Sequence, residues 1–134
     1  MNIDSKKKEL FVISKEFDLE LLVLFGSYSN NSFTQESDID IAYYSKKPLD
    51  FKQKRELRFN LSKIFDLKEI DLIDLNSNYS ILLRYEIFTK GLCLYESKEG
   101  LFEDFESNAW MDYQDNIDYL MQYKEIVRKS IESL

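Results

Sequence analysis

The stretch Leu19–Phe25 (LELLVLF), followed at once by Gly26-Ser27 and, after ten further residues, by Asp38-Ile-Asp40, decides the fold of this chain. The apolar run is too short for an ordinary helix and is typical of a buried strand that ends at the glycine. In the second segment, acids alternate with isoleucines, which indicates another strand. Its two carboxylates would therefore lie on one face of a sheet, with the isoleucines on the other.

Further segments on either side of these strands show helical or strand periodicity. In chain order, they predict a helix over 5–17, a loop over 27–36, a helix over 50–65, a strand over 69–75, a helix ending near 90, a strand over 92–95, and one long helix or two in series from 101 onward. Either Asn78 or Ser80 would cap the third helix, and Gly91 would follow its end. The order strand, helix, strand favours a right-handed crossover between parallel strands.

These elements predict an α/β fold in which helices flank a small mixed β-sheet in three layers, with a long C-terminal helical segment. We expect a single domain over residues 1–134, with a core of about 1–96 and a helical segment of about 97–134, because 134 residues suffice for one modest core. Trp110 and Tyr113 are expected to pack in the core. The basic residues near Arg55 and Arg58 are expected to form a solvated helix face.

Composition excludes several classes of chemistry. The chain has no histidine, so Ser-His-Asp triads and most zinc sites are ruled out, and the single cysteine, Cys93, reads as a small core residue. The net charge of −7 argues against direct nucleic-acid binding. No basic-then-apolar leader and no apolar run near the roughly 20 residues of a membrane helix are present, so we expect a cytoplasmic protein.

The Gly-Ser turn and the acidic pair together suggest phosphate and metal binding. Gly26 would let the backbone approach a phosphate closely, and the Ser27 hydroxyl would add a donor. Mg²⁺ prefers carboxylate, phosphate and water oxygens, and Asp38 and Asp40 supply two carboxylates on one rigid strand. A third acid could come from the strand over 69–75, whose acids at 71 and 74 lie on opposite faces; a position in the first half of that strand favours Asp71 over Asp74.

The whole pattern resembles a known family. Gly26-Ser27, the ten-residue spacer, Asp38-x-Asp40 and the later Ile-Asp71-Leu-Ile-Asp74-Leu are similar to the minimal nucleotidyltransferase branch of the polymerase-β-like superfamily, which includes the MntA antitoxins. The resemblance implies that Gly26 and Ser27 hold the triphosphate of ATP. It also implies that Asp38, Asp40 and Asp71 bind Mg²⁺, two ions in all, and carry the catalysis. This is the stronger reason for choosing Asp71.

The resemblance also implies a function and a partner. Many such proteins pair with a HEPN-domain ribonuclease toxin, and some transfer AMP from ATP to a tyrosine of that toxin. The leading hypothesis is therefore an adenylyltransferase antitoxin that forms a hetero-oligomer with its toxin. Two alternatives stay open: nucleotidyl transfer to a small hydroxylated molecule such as an aminoglycoside, and neutralisation by binding alone through the acidic face of the C-terminal helix.

Overall fold

A computed structural model describes residues 2–26, 38–77 and 80–133 of the chain. Within these ranges the strands are β1 (Leu19–Phe25), β2 (Ile39–Ser45), β3 (Ile70–Asp74) and β4 (Leu92–Glu96). The α-helices are α1 (Lys7–Glu16), α2 (Phe51–Ile64), α3 (Ile81–Lys90), α4 (Leu101–Asp115) and α5 (Ile117–Glu132), and a short 3₁₀ turn (Asp4–Lys6) precedes α1. The loop predicted over 27–36 and the possible cap Asn78 lie outside the described residues.

The four strands form one mixed sheet in the order β3-β2-β1-β4. Strand β1 pairs antiparallel with both β2 and β4, whereas β2 and β3 are parallel and are joined through α2. The predicted mixed sheet and the crossover between parallel strands are both confirmed. The parallel register places Asp40 opposite Asp71, and the antiparallel register places Phe25 opposite Asp40.

Helices cover both faces of the sheet, as the prediction of three layers requires. On one face, α1 and α2 contribute side chains such as Leu10 and Leu61 to a core that includes Ile39 and Ile41 of β2. On the other face, α3 and α4 pack against residues such as Val23 of β1. Because side chains alternate along a strand, the isoleucines of β2 face α1 and α2, and Asp40 faces the side of the sheet that carries α3 and α4.

Capping side chains set where two of the helices begin. Asp50 accepts a hydrogen bond from the backbone N–H of Gln53 at 2.8 Å, and the Gln53 side chain accepts one from the Asp50 N–H, which completes a capping box at α2. At α3, the Ser80 hydroxyl accepts from the Leu83 N–H at 3.2 Å. Ser80 is therefore the cap of α3, and Gly91 follows its last residue as expected.

The C-terminal segment consists of two helices in series, and one prediction about its packing was wrong. Trp110 is 51% exposed and does not belong to the core. Helix α4 packs through Phe105 and Ala109 instead, and the residue after Ala109 points away by about 100° around the helix. Tyr113 is half-buried and stacks on Tyr85, with ring centroids 3.9 Å apart.

Helix α5 presents an apolar stripe that the described part of the chain leaves uncovered. Leu120 is its one buried side chain among the residues described. The large exposed apolar side chains of α4 and α5 are Trp110, Met111, Tyr119, Met121, Tyr123, Ile126, Val127 and Ile131. Helical periodicity predicted a helical segment here but could not show which of its apolar side chains the rest of the chain buries. None of the helices described has the length and apolarity that crossing a bilayer demands.

Candidate active site

Backbone pairing brings three of the predicted site residues together. Asp40 lies at the second position of β2, Asp71 lies directly beside it on β3, and β1 ends against Asp40 before the chain turns at Gly26. Gly26 has φ +73°, a conformation that favours glycine, and a methyl group built on it would overlap the Asp40 carboxylate. Gly26 thus lies in contact with the Asp40 side chain. Ser27 lies outside the described residues.

Partial burial and neighbouring negative charges dominate the electrostatics of this cluster. The pKa of Asp40 is raised from its ordinary 3.8 to about 6. Partial burial is the largest cause, followed by the negative charge of Asp71, the hydrogen bond between the two side chains and the charge of Asp38. Carboxylates held this close repel each other unless one is protonated or a cation lies between them. A divalent metal ion between the carboxylates would offset this repulsion, because each carboxylate is attracted to the ion.

The acidic side chains of this site offer the carboxylate oxygens that Mg²⁺ prefers, but those that the structure describes do not surround a single point. Asp38 precedes β2 and its side chain is exposed. In the described ranges, no group of three acidic side chains already surrounds a single point. Mg²⁺ prefers oxygen ligands and usually takes one or two carboxylates together with phosphate and water oxygens, so the side chains of Asp40 and Asp71 are donors of the right kind.

Asp74 has a different environment from Asp71, although both lie on β3 and are only three positions apart. It lies opposite Tyr43 on the α2 side of the sheet, where its carboxylate accepts from Lys54 at 3.0 Å and from the Asn76 N–H at 2.8 Å. Burial alone would raise the pKa of Asp74, but hydrogen bonds from Lys54, the Asn76 amide and Ser77 outweigh it and lower the pKa. Protein donors therefore occupy the Asp74 carboxylate, whereas Asp71 is the acid of β3 that lies beside Asp40.

Asn76 holds the far ends of β2 and β3 together, a role that the sequence analysis did not identify. Its side chain accepts from the Ser45 N–H at 2.9 Å and donates to the Ser45 carbonyl at 2.9 Å. The Arg84 guanidinium also donates to the Leu75 carbonyl, at 2.5 Å. The two Asn76 bonds join the ends of the acid-bearing strands β2 and β3, and the Arg84 bond joins α3 to the end of β3. An asparagine just after a strand was the only signal in the sequence.

The mixed sheet, with acids on neighbouring strands beside a glycine turn, defines an α/β domain of the nucleotidyltransferase class. The chain belongs to the polymerase beta nucleotidyltransferase family, whose family model, described as "Polymerase beta, Nucleotidyltransferase", matches residues 8–100.

Curated relatives agree with this assignment. The chain is 36% identical to the protein adenylyltransferase MntA of Shewanella oneidensis over 81 residues. These 81 residues cover 60% of this chain and 57% of that protein. The match thus spans little more than half the length of the Shewanella protein. Over 81 residues it is also 33% identical to a putative protein adenylyltransferase of Methanocaldococcus jannaschii, covering 60% of this chain and 79% of that protein.

Solved structures extend the likeness over almost the whole chain. A toxin–antitoxin crystal structure with AMP-PNP matches at a TM-score of 0.71 and 27% identity, covering 94% of this chain and 98% of that chain. A structure of the tri-AMPylated Shewanella oneidensis HEPN toxin in complex with its MNT antitoxin matches at a TM-score of 0.69 and 26% identity, covering 98% and 99%. The likeness therefore includes the C-terminal helices.

Proposed function

We propose that this protein is a Mg²⁺-dependent adenylyltransferase that transfers AMP from ATP to a tyrosine hydroxyl of a HEPN-domain ribonuclease toxin, and thereby acts as its antitoxin. The observation that carries the proposal is the register of β2 and β3, which sets Asp40 beside Asp71 and against the turn at Gly26. The relatives named adenylyltransferases, and the complexes of an MNT antitoxin with an AMPylated toxin, support it.

In this proposal, each residue has a defined role. Asp38, Asp40 and Asp71 would hold two Mg²⁺ ions, which when bound offset the negative charge of the triphosphate. The absence of a side chain at Gly26 leaves room for the Asp40 carboxylate. The Gly26 backbone and the Ser27 hydroxyl would bind the triphosphate. The acceptor oxygen forms a bond to the α-phosphorus, the bond from that phosphorus to pyrophosphate breaks, and Asp71 takes up the hydroxyl proton.

The exposed apolar stripe of α5 favours a protein acceptor over a small molecule. Contiguous apolar surface of this kind on a small protein marks a binding surface for another macromolecule. Side chains such as Tyr123 and Ile126 are more than half exposed. The stripe, rather than the acidic face of the C-terminal helix, is therefore the better contact with a toxin.

Incubation with ATP, Mg²⁺ and a cognate HEPN toxin, followed by intact-mass analysis, tests the proposal. We expect the toxin mass to increase by one AMP unit or a small multiple, with the modification on tyrosine. Turnover of aminoglycosides without any protein acceptor would favour the small-molecule alternative. Full neutralisation of the toxin by a folded Asp38→Ala, Asp40→Ala variant would favour neutralisation by binding alone.

A paired comparison of Asp71→Asn and Asp74→Asn tests the choice of third acid. We expect Asp71→Asn to slow AMP transfer by about 10²-fold or more, because a proton acceptor and metal ligand is lost. Asp74→Asn should leave transfer nearly unchanged and lower the free energy of unfolding by about 1–2 kcal/mol, because hydrogen bonds to its charged carboxylate are weakened. Transfer rates and urea denaturation of both variants provide the measurement; a reversed pattern would assign the role to Asp74.

A further inference from the structure

A groove runs along the outer edge of β3, on the face of the sheet opposite the catalytic acids. Strand β3 ends the sheet on this side, with β2 as its one neighbour among the described strands. Two cavities, of about 280 and 230 Å³, lie between this edge and α2, and Arg55 and Arg58 line both of them. We call this feature the α2–β3 groove.

The groove is basic within an acidic chain. Four basic side chains line it against two acidic ones, whereas the whole chain has a net charge of −7: the basic ones are Lys54, Arg55, Arg58 and Lys68, and the acidic ones are Glu69 and Asp74. Lys54 is paired with Asp74, but neither Arg55 nor Arg58 has a carboxylate partner in the described part of the chain. The two arginines are three positions apart on α2 and so lie on the same side of the helix.

A buried hydroxyl without a partner forms part of the same groove. Tyr43 lines the smaller cavity and is fully buried, and its hydroxyl makes no hydrogen bond to any residue that the structure describes. Burial and the adjacent negative charge of Asp74 raise the pKa of Tyr43, although the hydroxyl and the carboxylate do not reach hydrogen-bond geometry. A buried donor left unsatisfied destabilises a protein by about 1–3 kcal/mol. Because the Tyr43 hydroxyl is not accessible to solvent, an acceptor from outside would remove that penalty only if the groove opened on binding.

Exposed apolar side chains border the arginines. Phe51, Phe59 and Leu67 are 79%, 62% and 77% exposed, and each lines one of the two cavities. Aromatic side chains together with arginine are typical of protein-binding surfaces. Nucleic acid fits less well, because its phosphates require a broad basic surface and the rest of this chain is acidic.

We propose that the α2–β3 groove binds an acidic, extended segment of a partner protein, whose carboxylates pair with Arg55 and Arg58 and whose apolar side chains cover Phe51 and Phe59. Among the described strands β3 has no neighbour on its outer side, so such a segment would pair with this edge as in strand addition to a sheet. The surface lies apart from the catalytic acids and does not depend on the proposed transfer reaction.

Fluorescence anisotropy with the full-length protein tests the proposal. The probe is a labelled twelve-residue peptide of alternating Glu and Val. A Lys-Val peptide of the same length, which carries the opposite charge, serves as the control for charge. We expect the Glu-Val peptide to bind and the double variant Arg55→Glu, Arg58→Glu to weaken its binding by at least about tenfold. The matched control Lys8→Glu, Lys15→Glu makes the same charge change on exposed positions of α1 and should weaken binding less than about twofold.

Tyr43→Phe separates a local contact from a general charge effect. We expect it to weaken binding of the Glu-Val peptide by about fivefold and to raise the melting temperature of the free protein, because it removes a buried hydroxyl that has no partner in the described part of the chain. Equal losses from the α1 control, equal binding of the Lys-Val peptide, or tighter arginine-dependent binding of a single-stranded RNA at about 0.15 M salt would each overturn the proposal.

Discussion

Replacement of Asp40 by Asn is expected to reduce AMP transfer by roughly 10³-fold or more and, at the same time, to stabilise the folded protein at neutral pH. Activity falls because the variant loses a proposed Mg²⁺ ligand at the centre of the site, where Asp40 lies against Gly26 and beside Asp71. Stability rises because a partly buried charge and its repulsion of Asp71 are removed together.

The gain in stability should depend on pH in a defined direction. The pKa of Asp40 is about 6 in the folded protein against an ordinary 3.8, so between these values the folded state binds the proton more tightly than the unfolded state. Stability of the wild type therefore falls as pH rises through this window, whereas the Asn variant has no such group. The difference should be largest near pH 7, on the order of 1 kcal/mol because water still reaches the carboxylate, and should vanish below about pH 4.

Thermal denaturation at several pH values, with and without Mg²⁺, measures this effect. Excess Mg²⁺ should raise the melting temperature of the wild type and leave that of Asp40→Asn nearly unchanged, because a ligand stabilises only the state that binds it. Asp38→Asn is the matched control: its side chain is exposed, so transfer should fall without the gain in stability. An Asp40→Asn variant no more stable than wild type at pH 7 would contradict the description of the acidic cluster.

Substitution of Gly26 by Ala is the second change with a large expected effect, and it should impair activity far more than folding. The added methyl group would overlap the Asp40 carboxylate, which is the mobile end of a side chain and can rotate away. The fold would then lose only the roughly 1 kcal/mol that a positive φ costs a non-glycine residue. The displaced carboxylate, however, should slow transfer by about 10²-fold or more.

Gly100→Ala is the control for this experiment. Gly100 also has a positive φ, +89°, but an added methyl group there would meet no atom within 4 Å. The two variants should therefore lose similar amounts of stability in urea denaturation, and only Gly26→Ala should lose transfer activity. Similar activities in both variants would show that Asp40 does not need its present position.

Local patterning was enough to predict most of the architecture. The alternation of acids and isoleucines in 38–41 predicted the strand and the face on which its carboxylates lie, and the order of elements predicted the parallel crossover through α2. Such features depend on periods of two and 3.6 residues, which are properties of neighbouring residues. The roles of Gly26, Ser27, Asp38, Asp40 and Asp71 remain proposals that the experiments above address.

Packing against distant residues was harder to predict. Periodicity identifies a stripe on a helix but not its neighbour, so Trp110 was wrongly expected in the core while Ala109 lies there instead. Likewise, Lys54 was grouped with the solvated basic face of α2, yet it pairs with Asp74. Neither contact has a signature in the chain, because each joins side chains that only the folded sheet and helices bring together.

By itself, then, the sequence determined the kinds of elements, their order, and the acidic and glycine positions that mark a nucleotidyltransferase. Tertiary structure alone decided which acid lies beside Asp40, because parallel pairing of β2 and β3 sets Asp71 opposite it and sends Asp74 to the α2 side. It alone also decided that the apolar stripe of α5 is left uncovered by the described residues, and that the basic face of α2 borders a groove at the edge of β3. Register and burial arise from long-range pairing, and that is the information a one-dimensional pattern does not contain.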